Sequence, residues 1–511
     1  MFKNHPKGLL AASLANMGER FGFYTMMAIL SLFIMTKFGL DETKTGIIYS
    51  IFYASIYLLA LVGGLLADKT RNYKGVILTG LLLMTLGYVI IAIPTPTPVP
   101  EGQFGLLLAF TCLGLLVIAL GNGLFKGNLQ ALVGQMYDDP KYSKMRDSGF
   151  QLFYMFINVG AIFAPFLAVG VRNWWVENNG FLYNADLPAL AHQQLGNSIT
   201  AEGTARLQSL ASEVGYTGTD LTAFANEYLN VFTTGFHYAF AVAIFAMLLS
   251  LVIYLFNKNR FPDPAGKKGV AAGGAAVEEM DIKEVKQRLY ALFAVFAVVI
   301  FFWFSFHQNG LTLTYFAKDY TDLSQIKVNL GFATLQGAEI FQSINPFFVV
   351  FLTPIIVAFF GWLRAKGKEP STPRKIAIGM GIAALAYAVM ALGSMGLPLK
   401  AEVDAMGGLP DAARVTPWLL IGTYFILTVA ELFISPLGIS FVSKVAPPKY
   451  QGIMQGAWLG ATAAGNSLLF IGAIFYTSFS MTATWMVFVV ACFISMFTML
   501  AMVKWLDRVA K

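Results

Sequence analysis

Glu19 and Arg20, Lys126, and Glu431 are ionisable side chains set inside stretches that are otherwise almost entirely apolar. An ionised group near the middle of a bilayer costs about 3 kcal/mol or more, so such residues turn toward a water-filled cavity or an oppositely charged partner. Two basic and two acidic groups suit a small zwitterion and a proton that moves with it. A guanidinium can bind a carboxylate through two parallel hydrogen bonds, and a lysine adds a point charge. The chemistry implied is reversible recognition of a small solute, as in a secondary transporter.

The elements that must hold these groups are membrane spans. The 511 residues are 57% apolar and 12% charged, with mean hydropathy +0.64. Soluble domains carry about a quarter charged residues, so this composition places the chain in a lipid bilayer. At about 20 apolar residues per span, twelve spans are expected: roughly 9–37, 45–67, 75–95, 104–133, 148–171, 236–256, 288–317, 336–362, 375–395, 416–442, 451–478 and 482–504. The first is too long for a cleavable signal peptide and carries the Glu19-Arg20 pair. Lys and Arg gather in alternate connections: Lys69, Arg71 and Lys74; Lys141, Lys144 and Arg146; Lys258 to Lys268; and Arg364 to Lys375. Positive segments stay in the cytoplasm, so both termini are expected there. The net charge of +7 is then a topology signal, and no soluble basic patch points to nucleic acid. Cys112 and Cys492 lie deep in apolar spans and read as packing residues.

Three parts are expected: a six-helix bundle over 1–256, a cytoplasmic linker over 257–287, and a second six-helix bundle over 288–511. The linker contains the small-residue tract Gly269 to Ala276, which cannot build a core. The halves echo one another, with Gly63 to Arg71 after span two and Gly361 to Lys368 after span eight. Parallel six-span halves around a central site are the major-facilitator arrangement. An outer loop, 173–235, reads as a small surface cap with an amphipathic stretch near Ala201–Val214. Asp68 and Arg71 lie at the cytoplasmic mouth and read as a gating latch between the halves.

Eight short strings, in order, carry a resemblance. They are Glu19-Arg-Phe-Gly-Phe-Tyr24; Tyr57 ahead of Gly63-Gly64; Gly123 to Asn128 around Lys126; and Phe153-Tyr154 to Gly160 around Asn158. The second half adds Phe302-Trp303 to Gln308, Phe341-Gln-Ser-Ile-Asn-Pro346, Glu431 to Pro436, and Gly456-Ala-Trp458. Together they resemble the proton-dependent oligopeptide transporter family of the major facilitators across nearly the whole chain. The resemblance implies an all-α membrane protein of twelve helices in a bacterial inner membrane, importing di- and tripeptides with protons by alternating access. It implies a monomer in the lipid bilayer and no cofactor or metal. Arg20 and Lys126 would hold the peptide carboxylate, and Asn158, Asn345 and Glu431 its ammonium. Tyr24, Tyr57, Tyr154, Trp303, Gln308, Ser435 and Trp458 would line the pocket. Glu19, Arg20, Lys126 and Glu431 would couple the proton, with His307 a further candidate.

The pattern also breaks. Asn16 stands where the family's motif on the first helix begins with a glutamate, and asparagine carries no exchangeable proton. Met27 and His307 replace an arginine and a carboxylate that would face one another, so an ion pair is deleted as a unit. These departures leave room for a facilitator, or for nitrate or another small organic solute on the same fold. An enzyme would need a nucleophile and base or a metal cluster, and His5, His192, His237 and His307 are scattered. The phosphate-cradling string of ATP-driven pumps is missing as well.

Overall fold

The computed structural model describes residues 5–142, 146–262, 280–447 and 450–510. Lipid offers backbone amides no partners, so apolar segments this long settle as helices that satisfy their own hydrogen bonds. In chain order these are α1 (Lys7–Phe38), α2 (Glu42–Thr70), α3 (Tyr73–Ala92), α4 (Phe104–Met136) and α5 (Arg146–Asn178). Two short outer helices follow, α6 (Leu187–Leu195) and α7 (Ala201–Glu213), and then α8 (Leu221–Asn257). The second half runs α9 (Ile282–Phe306), α10 (Thr312–Tyr320), α11 (Ile344–Ala365), α12 (Thr372–Gly393) and the short α13 (Lys400–Met406). It ends with α14 (Pro417–Val445), α15 (Gln451–Ser467), α16 (Leu469–Ser478) and α17 (Met481–Val509). A two-stranded antiparallel hairpin pairs Val328 with Leu335 and Asn329 with Thr334.

Twelve of the described segments are long and apolar enough to cross a membrane. They form two six-helix bundles of the major-facilitator type, with both described ends on one side. Local chemistry sets the ends. Gly39 closes α1 in a left-handed conformation (φ 62°), and the Asp41 carboxylate accepts Lys44 N at 2.8 Å to start α2. The α3–α4 contact depends on missing side chains: a Cβ on Gly80 would stand 2.7 Å from the Gly121 carbonyl oxygen. Small residues at such points let two backbones approach closely in lipid.

Several boundaries differ from the sequence reading. The fifth and sixth spanning helices run past the expected ends, to Asn178 and back to Leu221, so most of the outer loop is helical. Its amphipathic stretch is α7, which buries Leu207, Leu210 and Ala211. The seventh span is broken by a tight turn at His307–Gly310, and the eleventh is interrupted at Leu468. The Gly269–Ala276 tract lies outside the described residues.

Every cross-bundle hydrogen bond and ion pair among the described residues lies in the outer part of the molecule. Arg172 on α5 pairs with Glu339, both fully buried. Asn173 Nδ2 donates to the Thr334 and Gln336 carbonyls at 2.6 and 3.0 Å. Lys400 reaches Glu42 on α2 at 3.0 Å, and Arg414 reaches Asp186 at 2.6 Å. Gln342 Nε2 donates to the Ala28 carbonyl at 3.2 Å. These links close the outer ends of the two bundles against each other.

Candidate functional site

Between the bundles lies a central cavity of about 330 Å³. That is within the range of small-molecule pockets, which run from about 300 to 1,000 Å³. The first bundle brings Arg20 and Tyr24 from α1, Tyr57 from α2, Lys126 from α4, and Tyr154 and Asn158 from α5 to its wall. The second brings Trp303 and His307, Asn345 from α11, Glu431 and Ser435 from α14, and Trp458 from α15. Basic groups therefore come from one half and the carboxylate from the other.

Lys126 Nζ stands 4.6 Å from the centre of the Tyr57 ring, an attractive arrangement for a cation over an aromatic face. Asn345 Nδ2 donates to Glu431 Oε2 at 2.8 Å and to Thr428 Oγ1 at 3.0 Å, which fixes the carboxylate. Tyr154 is 51% exposed because its ring faces the cavity. Asn158 Nδ2 turns back to the Tyr154 carbonyl at 3.3 Å. Arg20 lies with its guanidinium 4.6 Å from the Phe23 ring centre. Its Nε and Nη2 donate to Glu19 at 2.5 and 2.7 Å.

A family model described as the POT family matches residues 74–277 and 267–486. The chain belongs to the POT family. It is 30% identical over 492 residues to the peptide transporter YePEPT of Yersinia enterocolitica, covering 91% of this chain and 87% of that protein. Dipeptide and tripeptide permease A of Escherichia coli K12 is 26% identical over 468 residues, 90% of this chain and 82% of that one. A solved peptide transporter POT in complex with sulfate has TM-score 0.71 at 23% identity, covering 100% and 96%. A POT family transporter in complex with 5-aminolevulinic acid has TM-score 0.71 at 21% identity, covering 99% and 98%. The two structural likenesses bear on the fold. This POT-family chain is a transporter rather than an enzyme, a multi-pass protein of the bacterial inner membrane.

Not every residue expected at the site of this POT-family chain faces the cavity. Gln308 is fully buried behind it, donating to the Phe304 and Leu469 carbonyls at 3.2 Å each and accepting from Thr312. Trp303 and His307, four residues apart, share the face that meets the cavity, and Gln308 stands about 100° round the helix from His307. Glu19 is also fully buried and does not reach the cavity; Asn122 on α4 donates to its Oε1 at 2.8 Å. Arg71 is exposed and closes α2 in a left-handed conformation (φ 53°), while the Asp68 side chain lies outside the described residues.

His307 lies between the Trp303 and Tyr53 rings, at 4.9 Å from each, with Nδ1 facing Asn466 Oδ1 at 2.5 Å. Met27 and His307 line the same cavity. The sequence reading missed Tyr49, Tyr53, Gln130 and Gln342, which also line it. Tyr49, Tyr53 and Tyr57 recur every fourth residue, one face of a helix, and that spacing was the available signal. Gln342 sits inside a quoted motif, but nothing in the string marks which of its polar residues turns inward.

Proposed function

We propose that this chain imports di- and tripeptides together with protons by alternating access, and that the outer-closed arrangement is its inward-facing state. One observation carries the reading: Arg20 and Lys126 from the first bundle and Asn345 and Glu431 from the second line one cavity of peptide size. A peptide's carboxylate and ammonium, bound to opposite halves, draw the bundles together around it. The names of the relatives, a peptide transporter and a dipeptide and tripeptide permease, support the same cargo. For coupling, a proton on Glu19 weakens its hold on Arg20 and frees the guanidinium for the carboxylate. Glu431 is the carboxylate that lines the cavity itself among the described residues. Asp68 and Arg71 are proposed to latch the cytoplasmic mouth when the cavity faces outward, and the transporter is proposed to work as a monomer.

A second reading rests on Asn16, Met27 and His307: the fold is kept while coupling is weakened, giving a facilitator or a carrier of another small organic solute or nitrate. The test is uptake of labelled dialanine in proteoliposomes, with and without an inward proton gradient, against competing nitrate. Accumulation above the outer concentration that requires the gradient and ignores nitrate supports peptide–proton symport. Equilibration without accumulation makes the protein a facilitator, and competition by nitrate changes the cargo.

A further inference from the structure

A second cavity lies on the outer side, roofed by α6. Its volume is about 290 Å³, close to the 330 Å³ of the central one. The segment Ala338–Ser343 stands between them: its Glu339 pairs with Arg172 on the outer wall, and its Gln342 lines the inner one.

The outer walls hold both kinds of group that a zwitterion needs. Lys318 and Lys400 supply ammonium donors; Asp41, paired with Lys44 at 3.2 Å, and Asp404, paired with Lys400 at 2.5 Å, supply carboxylates with 48% and 45% of their side chains exposed, so a zwitterion binds by exchanging its own ends for these partners. Lys318 Nζ has three protons to donate and meets Asp319 at 2.9 Å. His192 adds a neutral acceptor. Its Nε2 stands 2.6 Å from the Thr36 carbonyl, which can only accept, so Nε2 carries the proton and Nδ1 the lone pair. Burial holds this imidazole below its ordinary range. Gly39 puts no side chain over Nδ1, where a Cβ would stand 2.9 Å away.

We propose that the outer cavity is a second binding site, which captures a zwitterionic peptide from the outer side before the closed gate opens. The carboxylate binds Lys318 and Lys400, and the ammonium binds Asp404, Asp41 and His192 Nδ1. Lys400 also ties α13 to α2 through Glu42 at 3.0 Å. A carboxylate that draws Lys400 away loosens that tie, so loading the outer site favours opening. The inference rests on the zwitterion reading of the central cavity, and separate variants keep the two apart.

The test is equilibrium dialysis of the purified full chain with labelled dialanine. The parent should bind about two molecules per chain. Lys126→Ala should lose the central one, while Ala189→Phe, which fills the outer cavity from α6 without removing a charge, should lose the outer one. In proteoliposomes, Ala189→Phe and Asp404→Asn should raise KM for uptake from the outer side about tenfold, and Ala189→Phe should leave the maximal rate and counterflow from the inner side unchanged. One molecule per chain in the parent, or an unchanged outer KM in both variants, overturns the proposal. If Lys126→Ala keeps both molecules while Ala189→Phe loses one, the outer site stands and the reading of the central cavity falls.

Discussion

Lys126 and Glu431 reach the central cavity from opposite bundles, and among the described residues neither side chain is held in a salt bridge. Each is therefore free to bind solute. A hydrogen bond to a charged group contributes about 1.5–3 kcal/mol. Lys126→Ala and Glu431→Gln should therefore each lower dipeptide uptake by about tenfold to a hundredfold, with the purified variants still monodisperse and helical. Initial rates in proteoliposomes check this, and parental rates in either variant remove that residue from the site. His307 is different: two aromatic rings enclose it and Asn466 occupies Nδ1. His307→Ala should slow transport through lost packing and leave the midpoint of the pH–rate profile in place. A shifted midpoint would make it a proton carrier instead. At this scale the sequence showed the residue types and hid their directions. Arg20 lines the cavity and its neighbour Glu19 lies behind it, although both belong to one string.

Among the elements, the turn joining α11 to α12 holds a compact ion cluster. Glu369 accepts from Arg364 Nε at 2.6 Å and from Lys375 Nζ at 2.6 Å. The hydrogen bonds from Arg364, then Lys375, depress its carboxyl to about 2. A carboxylate whose folded pKa is depressed adds stability that is fully present above its ordinary, unfolded value. That stability is lost as pH falls through the folded one. The thermal-stability gap between the parent and Glu369→Gln should thus stay constant from about pH 8 to 5 and close below about pH 4. A gap that changes between pH 8 and 5 would contradict the assignment. The α3–α4 crossing depends on Gly80 and Gly121 in another way. Gly121→Val forces the backbones apart and should cost about 1–3 kcal/mol, read as a lowered midpoint of thermal unfolding. Helix existence was plain from apolar run length. The breaks at His307–Gly310 and Leu468 were not, because neither carries a proline, and the few polar and glycine residues there, His307 to Gly310 and Gly465 to Ser467, are too short a stretch to divide a run of spanning length.

For the whole molecule, the outer closure decides which side the central cavity can face. Arg172 and Glu339 are 167 residues apart, buried and paired. The Arg172 guanidinium is also enclosed by the Tyr183, Phe232 and Phe236 rings at 4.5, 5.3 and 5.2 Å. Removing one member of a buried pair strands a charge and costs about 3–5 kcal/mol, whereas removing both with apolar replacements is far milder. Arg172→Leu should therefore open the outer side, and Arg172→Leu with Glu339→Leu should largely restore closure. Distances between spin labels at Gln208 on α7 and Ala401 on α13 report this directly. An unchanged distance in the single variant would show that the pair does not hold the gate.

The sequence by itself determined the bilayer, the twelve spans, the sidedness and the set of charges the spans carry. Those are properties of composition and run length, which lipid enforces on each segment separately. Only the tertiary structure decided which face of each helix meets the cavity. A spanning helix is apolar nearly all round, so no periodic contrast marks its inner face as it does for a helix at a water boundary. That is why the sequence did not show that Gln308 and Glu19 turn away while Gln342 turns in. It is also why the Arg172–Glu339 clamp and the outer cavity emerged only once distant segments were brought together.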